Sequence, residues 1–203
     1  MSDKRYVWDR LVRFFHWTLV LAFIIAYLTG DEENALHVYS GYYILGLVGF
    51  RIIWGLFGTR YARFSNFIYP PSAVIDYLKG FILLGSGKKY LGHNPAGGWM
   101  VITMLVSLLV TGLSGLKAYG VEGHGPFAQN PIHLQKDSGA VLVRVSSSEK
   151  DEHDEDEFWE EIHEFFANFT VFLVFVHIAG VLASSLKQRQ NLARSMWTGY
   201  KRE

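Results

Sequence analysis

Four long windows of this 203-residue chain carry almost no formal charge. Each has about the length that a helix needs to cross the hydrocarbon core of a bilayer, roughly 17–25 residues. A core helix of a water-soluble protein is rarely this long and this apolar on every side. The sequence therefore predicts an all-α membrane protein, a single transmembrane domain over 1–203 whose four helices lie at about 10–30, 34–58, 95–118 and 158–187.

The first window follows basic residues, as the apolar part of a signal peptide also does. It is longer than that part usually is, and the stretch IAYLTGDEEN that ends it has no clear small-x-small cleavage site. We therefore expect it to be a retained helix.

Positive and negative charges are segregated along the chain, although the net charge is zero. Segments 1–13, 60–96 and 187–203, together with Arg51, hold fifteen of the nineteen Lys and Arg residues. The segments expected on the other side hold fifteen of the nineteen acids, many of them in the long outer loop predicted at 119–157. By the positive-inside rule, both termini are expected in the cytoplasm and the acidic loop outside.

Four of the eight histidines lie in or at the ends of the predicted spans. Ionisable residues in a span are energetically costly and usually functional. His163 and His177, fourteen positions apart on one helix, share a face at a separation of roughly 21 Å along the axis. His37 begins its helix at the outer side and His16 begins its helix at the inner side. The depths therefore predict two pairs, His37 with His163 and His16 with His177.

Two imidazoles that face each other across a helix bundle are the ligands that a six-coordinate haem requires, because the porphyrin supplies four further nitrogens. The chain has no cysteine, so no thioether bond can form and each of two haems is expected to be b-type. A single shared metal ion is disfavoured, since the pairs are far apart and no carboxylate joins the inner one. The alternative is that each histidine only hydrogen-bonds a neighbouring helix.

Two further residues are candidates for haem contact. Gly30 lies fourteen positions after His16, where a missing side chain would leave room for the outer haem. Arg51 lies fourteen positions after His37, at the inner depth, and is expected to neutralise a propionate of the inner haem. The alternative for Arg51 is snorkelling to the inner membrane surface.

The segments that carry these residues resemble the prokaryotic cytochrome b561 family. The similar stretches are RFFHW, LHVYSGYYILGLVGFRIIW and IHEFFANFTVFLVFVHIAGVLASSL, and YLGHNPAGGWMVITMLVSLLVTGLSG resembles the related b-type cytochrome subunits of nickel–iron hydrogenases. The resemblance covers nearly the whole chain apart from roughly 128–157. It implies four helices that hold two haems b, with His16, His37, His163 and His177 at the matching ligand positions.

The resemblance also implies electron transfer across a bacterial inner membrane. The expected exchange is between a quinone, ubiquinone or menaquinone, and an outer partner, either a periplasmic cytochrome c or a hydrogenase-like redox subunit. The acidic loop is a candidate docking surface for such a partner, or simply a solvated run of charge. His93 either hydrogen-bonds a quinone or orders its loop. No nucleic-acid partner is expected.

Two other functions stay open at this point. If the protein is an enzyme, it is expected to be an oxidoreductase with quinone as donor or acceptor, for example a superoxide:ubiquinone oxidoreductase that acts alone. The alternative of another class is a haem-free membrane transporter or scaffold whose histidines relay protons or bind a substrate.

Overall fold

The computed structural model describes residues 4–30, 34–83, 90–121, 123–128 and 149–202, with only the backbone described for 149–156 and 202. The centre of the expected outer loop, 129–148, therefore lies outside the described residues. In chain order the elements are β1 (Lys4–Tyr6), α1 (Arg10–Leu28), α2 (Ala35–Phe57), a 3-10 turn (Phe64–Asn66), α3 (Pro71–Leu83), α4 (Pro95–Val121), α5 (Glu149–Gln188), α6 (Leu192–Thr198) and β2 (Tyr200–Arg202).

Helices α1, α2, α4 and α5 are each long and apolar enough to cross a membrane, and in α5 the candidate span runs Glu157–Gln188. The prediction of a four-helix membrane bundle is confirmed. Helix α5 begins earlier than its apolar window, at Glu149, inside the stretch that the sequence analysis treated as loop. Acidic residues near a helix N-terminus interact favourably with the helix dipole. This interaction favours a helical conformation in the charged run that precedes the span.

Polar side chains define where three of the spans begin. The Asp9 carboxylate accepts from Val12 N at 2.8 Å at the start of α1. Asn34 accepts from Leu36 N at 3.0 Å at the start of α2. Before α4, Asn94 accepts from Gly97 N at 2.7 Å. These bonds satisfy backbone donors that the first turn of a helix leaves free, and they fix the depth at which each helix enters.

The main helix contacts join α1 to α2, α2 to α4 and α4 to α5, whereas direct contacts of α5 with α1 and α2 are sparse. A buried apolar cluster fills the interface of the first three of these helices; it comprises Phe15, Ala22, Ala26, Ile44, Leu47, Val48, Leu105 and Leu108. Large apolar side chains such as Leu21, Phe175 and Leu182 remain on the outside of the bundle, where a bilayer can cover them. Because α5 makes few contacts with α1 and α2, side chains connect α5 to these two helices.

The two ends of the chain meet at the end of the bundle where α1 begins and α5 ends. Strands β1 and β2 pair antiparallel, with Tyr6 opposite Tyr200. Gly199, at a positive φ of 88°, turns the chain from α6 into β2, and its carbonyl accepts from the backbone N of Val7 and of Trp8. Because β1 leads into α1 and β2 follows α5 through α6, this sheet ties together the ends of the two helices that carry His16 and His177.

Candidate haem-binding site

The structure brings the four span histidines together as two pairs. The ring centroids of His37 and His163 are 5.8 Å apart, and those of His16 and His177 are 6.5 Å apart. All four side chains are half-buried. Each pair bridges the space between α5 and a helix that α5 otherwise scarcely touches, so the pairing by depth that the sequence predicted is present in the fold.

The outer pair is oriented by backbone carbonyls. His37 Nδ1 lies 2.9 Å from Ala26 O, and His163 Nδ1 lies 2.8 Å from Thr111 O. A carbonyl oxygen only accepts, so each Nδ1 carries the hydrogen and each Nε2 is left with a free lone pair. Histidines that ligate metals are commonly fixed in this way, with one nitrogen held by a carbonyl and the other turned to the metal.

The inner pair is arranged differently. His16 packs edge-on against Trp17, with ring centroids 5.0 Å apart. Its Nδ1 is buried and has no hydrogen-bond partner among the described residues. A buried nitrogen without a partner is energetically unfavourable, so this imidazole has capacity for a further bond.

The spacing of both pairs fits a metal held between two imidazoles in line. A metal–imidazole bond is about 2 Å long, and the ring centre lies roughly 1 Å beyond the nitrogen. Two such ligands on opposite sides of one iron therefore place their ring centres about 6 Å apart. Within the described residues no group of three or more His, Asp or Glu side chains is placed to hold a metal ion by itself.

Glycines lie beside both outer imidazoles. A Cβ on Gly115 would fall 2.8 Å from Cε1 and Nδ1 of His163, closer than packed side-chain atoms approach. A Cβ on Gly30 would make an ordinary contact, 3.7 Å from His37 Cε1. Because α1 ends at Leu28, Gly30 follows the helix instead of continuing the face of His16. It lies at the same end of the bundle as His37.

Arg51 is 3% exposed, so it does not reach an exposed surface as the snorkelling alternative requires. Its Nη2 donates to Ala62 O at 3.0 Å, and its guanidinium lies 5.0 Å from the centre of the Phe64 ring. The other terminal nitrogen, Nη1, is buried and lacks a partner in the described structure. A buried cation with a free donor suits a negatively charged group.

The sequence analysis did not predict the contributions of Thr111 and Gly115. A backbone carbonyl has no signature in the sequence. The TGLSG stretch that contains both residues does carry a signal, since small residues in a span mark close approach by another helix.

Comparison with known proteins adds the decisive observation. The family model described as prokaryotic cytochrome b561 matches residues 7–199. The chain belongs to the prokaryotic cytochrome b561 family. Members of this family are b-type cytochromes of the membrane, so this chain is a multi-pass membrane electron-transfer protein that uses haem b.

Two curated relatives are each named a probable Ni/Fe-hydrogenase B-type cytochrome subunit. The protein from Cupriavidus necator is 26% identical, with 97% of this chain and 86% of that protein covered. The protein from Rhodobacter capsulatus is 24% identical, with 97% of this chain and 80% of that protein covered. No solved structure matches the chain. These findings confirm the resemblance that the sequence analysis stated, including the similarity to b-type cytochrome subunits of nickel–iron hydrogenases.

Proposed function

We propose that this b561 cytochrome binds two haems b and carries electrons between a quinone and a redox partner outside the bacterial inner membrane. The observation that supports this proposal is the pair of ring separations, 6.5 Å for His16–His177 and 5.8 Å for His37–His163. The first pair is assigned to the inner haem iron and the second to the outer one. Haem supplies one-electron redox chemistry when bound.

The two proposed haem ligands on α5 set the distance between the two redox centres. His163 and His177 are separated by roughly 21 Å along the helix axis, which spans much of a hydrocarbon core about 30 Å thick. The residues of this chain would hold the two centres at separate levels of the bundle, and the carbonyls of Ala26 and Thr111 orient the proposed outer ligands. Ligand orientation, hydrogen bonding and burial are the means by which a protein sets haem potentials.

The outer partner is proposed to be a hydrogenase-like redox subunit, because both curated relatives carry that association in their names. A periplasmic cytochrome c remains the competing partner. Both termini are proposed to lie in the cytoplasm, and the distribution of Lys and Arg supports this orientation. Ubiquinone or menaquinone is the proposed exchange partner in the bilayer. The acidic stretch proposed as a docking surface includes 129–148 and the side chains of 149–156, which lie outside the described residues.

The test is a haem count with one histidine removed at a time. Purified protein should show the reduced-minus-oxidised spectrum of low-spin haem b at two haems per chain. His37→Ala or His163→Ala should remove the outer haem, and His16→Ala or His177→Ala should remove the inner one. His124→Ala is the matched control, since His124 stacks on Tyr119 outside both pairs and its loss should leave both haems in place.

Several outcomes would contradict the proposal. A folded, colourless protein would favour the haem-free transporter or scaffold. Equal loss of both haems in all four variants would contradict the two-pair assignment. Stopped-flow reduction by quinol, followed by oxidation with a candidate cytochrome c or with copurified redox subunits, tests the donor and the partner. Reduction by superoxide but not by quinol would favour the superoxide oxidoreductase.

A further inference from the structure

A second polar site lies at the inner end of the bundle, beside Arg51. The Nη1 of Arg51 is a buried donor without a partner in the part of the chain that is described. The guanidinium lies 5.9 Å from the centre of the Phe67 ring, and Phe67 is itself almost fully buried. Arg51 therefore offers a positively charged donor inside an apolar surrounding, where an unpaired charge is very unfavourable.

His93 lies against the same aromatic ring. Its ring centroid is 4.4 Å from that of Phe67 and 4.7 Å from that of Trp8. Its Nδ1 is a second buried nitrogen without a hydrogen-bond partner among the described residues. Two unsatisfied nitrogens, one on Arg51 and one on His93, thus flank a single phenyl ring.

The segment that carries His93 is fixed by Lys201, near the C-terminus, and by Tyr69, just before α3. Lys201 of β2 donates from Nζ to the carbonyls of Tyr90 at 3.3 Å and Gly92 at 3.1 Å. The hydroxyl of Tyr69 donates to the His93 carbonyl at 3.5 Å. The position of His93 is therefore set by the fold, and its free nitrogen is not a consequence of a loose loop.

The charges around these two residues favour an anion. Burial, followed by the charges of Arg51, Lys201 and His177, lowers the pKa of His93 to about 3, so the imidazole is neutral. Asp9 is the carboxylate that acts on Arg51, but its oxygens accept from Val12 N, Trp54 Nε1 and the Thr59 hydroxyl. In the described part of the chain Arg51 has hydrogen bonding only to Ala62 O. Its charge has no paired counter-ion there.

We propose that Arg51 and His93 together form a carboxylate-binding site, and that its occupant is a propionate of the haem held by His16 and His177. The inference rests on the proposed function for the identity of the haem. It adds His93 as a contact that donates from Nδ1–H, with Arg51 donating from Nη1, and it makes Lys201 a positioning residue for His93. Charge-assisted bonds to a carboxylate are stronger than neutral ones, which suits a site that must offset the burial of a cation.

The experiment compares two porphyrins that differ only in their carboxylates. Full-length apoprotein in detergent is titrated with protohaem and with protohaem dimethyl ester, whose propionates are masked. Each titration uses the His163→Ala background, in which only the inner site is expected to fill. Protohaem should bind about tenfold more tightly than the ester, as expected for about 1.4 kcal/mol of charge-assisted hydrogen bonding.

Two variants test whether Arg51 and His93 cause the preference for protohaem over its dimethyl ester. Arg51→Met and His93→Phe should each reduce the tenfold ratio severalfold by weakening protohaem alone, with ester binding unchanged. His93→Phe keeps a ring between Trp8 and Phe67 while removing Nδ1. Arg63→Gln is the control, because Arg63 is an exposed arginine of the same inner loop, and it should leave the ratio at the wild-type value.

Other results would overturn the inference. Equal affinity for the two porphyrins in wild type would exclude a propionate at this site. A preference that persists in both variants would exclude Arg51 and His93 as its source. Failure to bind either porphyrin would instead contradict the proposed function itself.

A second measurement does not require haem to be added back to apoprotein. In holoprotein purified with both haems, Arg51→Met and His93→Phe should each lower the midpoint potential of the inner haem, because a less neutralised propionate stabilises ferric iron. The potential of the outer haem should stay the same. Unchanged inner-haem potentials in both variants would overturn the inference even if haem content is normal.

Discussion

The imidazole of His163 is held by a helix that contains no histidine: its Nδ1 donates to the carbonyl of Thr111 at 2.8 Å. Gly115, four residues further along α4, presents its bare backbone to the same ring. The carbonyl sets which nitrogen carries the hydrogen, and the glycine sets how closely the ring approaches α4. The orientation of the proposed outer ligand is therefore decided by the packing of α4 against α5.

Gly115→Ala is expected to displace His163. The added Cβ would lie 2.8 Å from Cε1 and Nδ1 of the ring, so the imidazole has to move and its bond to Thr111 is strained. Overpacking of this kind typically lowers the free energy of unfolding by about 1–3 kcal/mol. The outer haem should be lost or show a changed low-spin electron paramagnetic resonance signal, while the inner haem keeps its spectrum.

The matched control is Gly46→Ala on α2. Gly46 is exposed and a Cβ there would meet nothing within 4 Å. Alanine is favoured over glycine in a helix by about 1 kcal/mol, so this variant should be at least as stable as wild type. An outer haem signal in Gly115→Ala that is identical to wild type would show that Gly115 does not limit the position of His163.

Thr170→Val is expected to weaken the bundle without removing either haem. Thr170 is fully buried, seven positions from each histidine of α5, and its hydroxyl donates to Phe166 O at 2.8 Å. It therefore accepts from the Ser107 hydroxyl of α4, 2.7 Å away. Hydrogen bonds between membrane helices contribute about 0.6 kcal/mol on average and up to about 1.7. Unfolding of Thr170→Val in detergent should show a loss of unfolding free energy in that range.

Thr18→Val serves as the comparison for that variant. Among the described residues the Thr18 hydroxyl bonds only carbonyls of its own helix, including Phe14 O at 2.9 Å, so its removal should have a smaller effect on unfolding. Selective loss of one haem in Thr170→Val would contradict the view that Thr170 only joins the helices, and would place it among the residues that orient a histidine.

Asp9→Ala is expected to loosen the inner end of α1, where His16 lies. The carboxylate accepts from Val12 N at 2.8 Å and from Trp54 Nε1 at 3.2 Å, and it also accepts from the Thr59 hydroxyl. Removal of a helix cap together with two partly buried side-chain bonds should lower the free energy of unfolding by about 1–3 kcal/mol. Heating should release the inner haem before the outer one.

The control for Asp9 is Asp76→Ala on α3. Asp76 is exposed, and a substitution at an exposed position usually changes stability by less than about 0.5 kcal/mol. If the two alanine variants unfold alike, the Asp9 bonds do not stabilise the inner end.

The lowered pKa of Lys201 predicts that the stability of the protein depends on pH. Burial lowers its pKa from 10.5 to about 8. Between these two values the unfolded chain binds more protons than the folded one, so the stability contributed by this residue rises with pH from about 8 to 10.5 and is flat below. The rise should be measurable as the difference between wild type and Lys201→Met in detergent unfolding at pH 7.5–10.5. Parallel curves for the two proteins would contradict this assignment.

Much of the arrangement was accessible from the sequence because the bilayer imposes simple rules. Apolar length predicted the spans, and helix periodicity predicted which histidines pair. The structure brings the two predicted histidine pairs together. The direction of the spans, inferred from the separation of Lys and Arg from Asp and Glu, stays a prediction.

The tertiary structure decided what no periodicity encodes. It placed the carbonyls of Ala26 and Thr111 against the outer imidazoles, and it brought Arg51 and His93 to the same Phe67 ring from distant parts of the chain. Backbone carbonyls are identical in every residue, and contacts between distant segments depend on how the chain termini and loops close over the helix ends. The sequence alone therefore determined the depth of the histidines, whereas only the folded chain determined their orientation.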